Sequence, residues 1–159
     1  MYLISAMKCS IIHVLTKIKR ELTYEKNNAE KIAKLFDLAL KMGAPIVGML
    51  DSDGARLEEG VLSQAAMGKL LSYSSKVSGV IPNVSIVFGN CAGGSAIAAE
   101  MSDFVIMNEK TGRLFVNGPS VIEASTGKKS PADAKENVNV SGSAHFLAED
   151  DMGCLGMAR

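Results

Sequence analysis

An α/β domain is what this sequence predicts, and two observations carry that reading. From Pro45 onward the chain writes proline, apolar strand, glycine turn and helix, and from Pro82 it writes the same order again. Strands alternating with helices in this way build a parallel sheet covered by helices. The second observation is size and composition: 159 residues, 47% of them hydrophobic, suffice for one domain with an ordinary core and carry no sign of disorder or of a fibre.

The N-terminal stretch is the least readable. Ile11, Ile12, Val14, Leu15 and Ile18 can form one apolar helix face, with Lys8, Lys17, Lys19 and Arg20 opposite, a basic face that is either solvated or in contact with a ligand phosphate. Residues 1–27 therefore form a segment without an assigned role, and the domain is expected over 28–159. The spacing of Ile32, Leu35, Phe36, Ala39 and Leu40 predicts a helix over 29–42, capped by Asn27 or Asn28 and ended by a left-handed Gly43. A strand follows at 46–50 and breaks at Asp51 into Ser52-Asp53-Gly54-Ala55, with a helix expected at once, over 57–77. Gly79 ends that helix. Pro82 opens a second strand at 84–88, which runs into a glycine turn over 89–94 and a small-residue helix through Met101. Short strands at 104–107 and 113–116 flank a tight connection, and Gly118-Pro119 begins another turn. Residues 126–139 read as a polar surface loop or insert, and the tail beyond His145 reads as lacking a closing element.

Seventeen basic residues balance seventeen acidic ones, so no net field gathers nucleic acid or an anionic membrane. Cys9, Cys91 and Cys154 are an odd number at unrelated spacings, which suits a reducing, cytoplasmic setting better than a disulfide framework. No apolar run reaches the roughly 18 residues of a spanning helix, and no signal-peptide pattern opens the chain. No His, Cys or carboxylate cluster has ligand spacing, so no metal is expected in this domain.

Side-chain catalysis is poorly provided for. A Ser-His-Asp arrangement would have to use His145, which has no Gly-x-Ser-x-Gly turn to accompany it and is otherwise a structural histidine. The turn at 89–94 lacks both the P-loop ending and the dinucleotide fingerprint. Glu58 and Glu59 are either general bases or acids placed to favour a helix dipole; Cys91 is a nucleophile or a small packed residue; Ser95 is an activated hydroxyl or a helix-start residue. What remains is the backbone. Gly54, Ala55, Gly93 and Gly94 offer N–H groups to a thioester or amide oxygen that turns into an oxyanion, or else these glycines simply permit close packing.

Asp51-Ser52-Asp53-Gly54-Ala55-Arg56-Leu57-Glu58-Glu59-Gly60 resembles the Asp-Ser-Gly-Gly-Ala-Arg-Ile-Gln-Glu-Gly motif of biotin-dependent acyl-CoA carboxyltransferases, which belong to the crotonase-like superfamily. Further blocks match in order: Ala29-Glu30-Lys31-Ile32; Ser78-Gly79-Val80-Ile81-Pro82; Cys91-Ala92-Gly93-Gly94 with Ser102-Asp103-Phe104; Leu114-Phe115-Val116-Asn117-Gly118-Pro119 with Thr126-Gly127; and Ser141-Gly142-Ser143-Ala144-His145. The resemblance implies a crotonase-like (ClpP/crotonase) spiral of repeated β-β-α units, incomplete at both ends here, assembling as trimers or hexamers. It implies carboxyl transfer between carboxybiotin on a separate biotinyl carrier protein and an acyl-CoA, by way of a thioester enolate. The enolate would be held by the amides of Gly54, Ala55, Gly93 and Gly94, with Asp53, Arg56, Cys91, Ala92, Gly118 and Pro119 against the coenzyme A substrate. Biotin would be recognised by a carboxyltransferase C-terminal half or second subunit. Where hydratases of the superfamily carry catalytic glutamates this chain has Ile97 and Ser120, which disfavours hydration. Asp53 stands where the motif has glycine, and its carboxylate would oppose a developing enolate if it pointed inward. A Clp-type peptidase with Ser95 as nucleophile and an inactive assembly subunit are the alternatives.

Overall fold

A computed structural model describes residues 12–15, 23–24, 26–130 and 132–159. Its centre is a parallel sheet in the order β1 (Ile12–Leu15), β3 (Ile46–Ser52), β5 (Asn83–Ala92), β6 (Phe104–Asn108) and β8 (Phe146–Ala148). β7 (Arg113–Phe115) pairs with the far end of β5, and β2 (Thr23–Tyr24) pairs separately with β4 (Gly54–Ala55). The mixed α/β class and parallel sheet expected from the repeated proline–strand–helix order are present.

A parallel sheet is usually covered on both faces, and pleat alternation divides these strands accordingly. Val47, Met49, Ile86 and Ile106 face α6 (Asp151–Met157), where they meet Ala148 and Cys154. Leu50, Val87, Val105 and Met107 face the other way, onto Ala96 and Ala99 of α3 (Gly94–Glu100) and onto Ala134 and Ala144. Ile32 and Phe36 of α1 (Lys26–Met42) close that layer with Met67, Leu70 and Val77 of α2 (Val61–Val77). Side chains such as Ile86, Val105 and Met107 are fully buried, each stabilising the fold by about 1.5–3 kcal/mol. The start of β5 is tied down by polar contacts. The Asn83 N–H donates to the Asp103 carboxylate at 2.8 Å, and Ser85 and Ser102 share a buried hydroxyl–hydroxyl bond of 2.6 Å.

Several expectations are corrected. Residues 12–15, expected on a helix face, form the edge strand β1; the rest of that face, with Lys8, Lys17 and Arg20, and also Cys9, lies outside the described residues. α1 begins at Lys26, so Asn27 and Asn28 sit inside its first turn rather than at its cap, while Gly43 does end it in left-handed geometry, φ 64°. The helix after the first glycine turn does not start at once. β4 and a 3-10 turn over Leu57–Glu59 come first, so Glu58 and Glu59 are not in an α-helical first turn. Gly118-Pro119 opens a helix, α4 (Pro119–Thr126), with proline at a position where a missing N–H costs nothing.

The polar interval 126–139 is more ordered than a loop. Asp133 caps the short helix α5 (Ala134–Glu136), which runs on into a π-helical turn over Asn137–Ser141. Buried Asn137 explains the order, because its Nδ2 donates to the carbonyls of Leu114, Ala132 and Asp133. The tail also has its closing elements, β8 and α6. Asp150 caps α6 by accepting from the Gly153 N–H at 2.7 Å, and Asn108 Nδ2 donates to Asp151 Oδ1 at 2.7 Å. Replacing Asn137 by Ala removes the side-chain donor that three carbonyls share, of which those of Ala132 and Asp133 keep a backbone N–H partner. It should lower unfolding free energy by about 2–3 kcal/mol in chemical denaturation, whereas replacing exposed Asn139 should leave it unchanged.

Candidate functional site

The site is built where β3 and β5 end. The two strands pair in register from Ile46↔Asn83 to Leu50↔Val87, and then resume at Ser52↔Cys91. Two residues of advance on β3 are thus matched by four on β5. The stretch around Phe88, Gly89 and Asn90 is bulged, a device that bends a strand and re-aims its side chains. Gly89 has no room for anything larger, since an added Cβ would lie 2.2 Å from Asp51 Oδ1. The glycine turn expected over 89–94 is therefore strand as far as Ala92, and the chain reverses only at Gly93, φ 62°.

Beyond the bulge, β4 comes down onto the end of β5. Gly54 has φ 105°, and a Cβ there would sit 3.3 Å from the Ala92 carbonyl oxygen. Backbone meets backbone because no side chain intervenes. The next close approach is at Gly94, the first residue of α3, where a Cβ would fall 2.4 Å from Met67 Cγ on α2. The two motif segments thus meet at one junction, the main chain of Gly54 against that of Ala92.

Two of the four nominated amides are already engaged. The buried Gly54 N–H donates to Ser52 Oγ at 3.2 Å, and the Gly93 N–H donates to the Phe115 carbonyl at 3.0 Å. Gly94 opens a helix, so its N–H has no carbonyl within its own helix to reach. Ala55 lies beside Gly54 in the two-residue ladder with β2. Asp53 is exposed at the rim, with Oδ1 accepting from Asn90 Nδ2 at 2.7 Å. Arg56 is half-buried just beyond β4. Cys91 and Ala92 are buried in β5, and Gly118 and Pro119 follow β7, the strand whose Phe115 carbonyl holds Gly93.

Among the described residues, the candidate side-chain nucleophiles Ser95 and Cys91 are buried. Ser95 is fully buried and donates to the Ala92 carbonyl at 2.6 Å, which ties the start of α3 to the end of β5 and is not the setting of an exposed nucleophile. Burial pushes the Cys91 thiol up to about 12, against the opposing pull of its bond with Ser95, so it is packed and protonated. His145 is elsewhere: its Nδ1 accepts the Val105 N–H at 3.0 Å and its ring packs on Phe104 and Phe146. Val105 pairs with Ser85 near the beginning of β5, roughly 20 Å of strand from the far end of β5. Among the described residues no Ser-His pair forms at Ser95, and the Clp-type alternative loses its nucleophile. Ile97 is an exposed apolar residue on α3 and Ser120 is exposed on α4, so neither supplies a carboxyl group for water.

A second depression, of about 490 Å³, opens on the α6 side and is lined by Asp51, Glu149, Asp150 and Asp151 with Lys110. That excess of carboxylates repels the phosphates of a coenzyme A. Among the described residues, no group of three or more His, Cys, Asp or Glu is placed to hold a metal ion, and no helix is long and apolar enough to cross a membrane.

Comparison with known proteins identifies the family of the chain. The chain belongs to the carboxyl transferase domain family, whose sequence model matches residues 8–159. It is similar to the methylmalonyl-CoA decarboxylase subunit alpha of Veillonella parvula, 43% identical over 136 residues, covering 83% of this chain and 27% of the relative. It is also similar to the putative propionyl-CoA carboxylase beta chain of Bacillus subtilis, 45% identical over 134 residues, covering 82% and 26%. Among solved structures it matches a transcarboxylase 12S hexamer with methylmalonyl-coenzyme A bound, at TM-score 0.81 and 35% identity, over 86% of this chain and 27% of that one. The chain thus spans about a quarter of the length of these relatives. The fold is the crotonase-like one that the five sequence blocks implied.

Asn90 was missed by sequence reasoning, since one polar residue inside a glycine-rich stretch carries no signal of its own. The raised thiol of Cys91 sets a pH dependence. Between its ordinary value of 9.0 and about 12 the unfolded thiol has lost its proton while the folded one keeps it. The stabilising effect of this burial is therefore complete below pH 9 and lost as pH rises toward 12. Chemical denaturation across that window should show falling stability, with a shallower fall in Cys91→Ser. Some of the fall should remain, because burial likewise pushes Cys154 up to about 11.

Proposed function

We propose that this chain is the acyl-CoA-binding part of a biotin-dependent carboxyltransferase, working in the carboxylating or the decarboxylating direction. The observation that carries the reading is the convergence of Gly54 on the Ala92 carbonyl, main chain against main chain with no side chain between; the crevice assigned here to the substrate is bordered by that backbone. Such a crevice suits a thioester, whose carbonyl oxygen becomes an oxyanion when the α-carbon loses a proton.

Ala55 and Gly94 are assigned as the amides that donate to this oxygen; those of Gly54 and Gly93 donate to Ser52 Oγ and to the Phe115 carbonyl. Gly54 and Gly93 act through shape: each adopts a positive φ that its neighbour depends on. A donor fixed in advance needs no reorganisation as charge develops, and loss of one typically costs about 3 kcal/mol of transition-state stabilisation. Asp53, Arg56, Cys91, Ala92, Gly118 and Pro119 border the substrate, Cys91 and Ala92 through their backbone.

This chain holds the acyl-CoA and stabilises its enolate; among the described residues neither Cys91, which stays a thiol, nor His145, at the other end of the sheet, serves as a base. Biotin on a separate carrier protein supplies the mobile carboxyl group when presented. Its recognition falls to the carboxyltransferase C-terminal half or a second subunit, in a trimeric or hexameric assembly, and a cytoplasmic location suits these partners. No residue of this chain is assigned to biotin.

Calorimetry with propionyl-CoA and methylmalonyl-CoA tests the reading, with saturable binding expected; a folded protein that binds no acyl-CoA is an inactive assembly subunit instead. The donor role of Gly94 is tested in a Met67→Ala background, which makes room for a side chain at residue 94. There Gly94→Ala keeps the N–H, while Gly94→Pro removes it at a helix position that tolerates proline. Binding of a CoA thioether bearing a nitronate, an enolate mimic, should be about 100-fold weaker in the proline variant than in the alanine variant. Equal affinities would assign the oxygen to other donors.

A further inference from the structure

Asp53 is a carboxylate at the rim of a crevice meant for an anion, and its surroundings give a reason why it is tolerated. The reasoning rests on the enolate-binding role just proposed. Ser52 turns its hydroxyl inward to the Gly54 N–H, so pleat alternation turns Asp53 outward. On the facing strand, the bulge that sets four residues of β5 against two of β3 carries Asn90. Its backbone stays paired with Arg113 of β7 while its side chain reaches across to Asp53 Oδ1 at 2.7 Å. The contact joins residues 37 apart, one from each wall of the crevice.

We infer that Asn90 is a positioning residue that clamps the Asp53 carboxylate at the rim, away from the thioester oxygen, and so lets this chain carry an acid directly before Gly54. An amide suits the task. Asn offers two N–H donors with no charge of its own, so it orients the carboxylate without adding a titrating group beside the site. The clamp also ties the segment bearing Ala55 to the segment bearing Gly94, the two amide donors. Asp51, two residues earlier, is handled by different means, its carboxylate lying over the bare backbone of Gly89.

This role has a signature that a merely structural contact lacks. A freed carboxylate repels an anion in the crevice far more than a neutral thioester, and both ligands carry the same coenzyme A, so the ratio of their affinities isolates the effect. The test measures dissociation constants of the full chain for propionyl-CoA and for the nitronate-bearing CoA thioether. Asn90→Ala should weaken nitronate binding about tenfold, the loss expected for a hydrogen bond to a charged group, and leave propionyl-CoA within about twofold. Asn90→Asp, which sets two carboxylates face to face, should weaken the nitronate further. Adding Asp53→Asn to Asn90→Ala should restore it. Equal weakening of both ligands in Asn90→Ala, or nitronate affinity unchanged from wild type, overturns the positioning role and leaves the functional reading standing. Wild-type protein that binds neither ligand overturns both.

Discussion

Everything at the candidate site depends on one contact that contains no side chain, the approach of Gly54 to the Ala92 carbonyl. An alanine at 54 would have to hold φ 105° and place its Cβ 3.3 Å from that oxygen, two penalties at one position. Because glycine carries neither, β4 can lie on the end of β5, and the segments that follow each strand face one another. Gly94 repeats the device one layer further on, against Met67. The junction is therefore a consequence of chain packing, with main chain against main chain at Gly54 and Ala92.

The bulge in β5 is the second constraint, since it lengthens one wall relative to the other. It carries Gly89 past the Asp51 carboxylate and lets β5 exchange β6 for β7 as its neighbour. β7 then returns a carbonyl, that of Phe115, to the Gly93 N–H. Asn137 reaches the adjacent Leu114 carbonyl from the π-helical turn. Segments that contribute no candidate donor thus fix the strand end that does.

Much of this was legible in the sequence because the signals were local. Ile46-Val47 and Ile86-Val87 are β-branched and apolar, and Gly43 and Gly79 stop helices in left-handed geometry. Five ordered blocks identified the family before any geometry was known. What was not legible depends on partners distant in sequence. Gly89 reads as a turn residue, yet it is strand because Asp51 needs the space. The glycines at 153 and 156 hide α6, and residues 126–139 look like a loop until Asn137 is seen to satisfy three carbonyls. For the site, Gly54 and Gly94 were visible as glycines, but which amides remain for a ligand depends on Ser52 and Phe115. Nothing in the sequence ties Asn90 to Asp53.

The central claim is that two particular amides, those of Ala55 and Gly94, meet the substrate oxygen. Amide-resolved NMR during titration with the nitronate-bearing CoA thioether tests it most directly. The account predicts downfield shifts of the Ala55 and Gly94 amide protons that saturate with binding, while the Gly54 and Gly93 amide protons keep their internal partners and move little. Saturable binding with the Ala55 and Gly94 amides unmoved would contradict it.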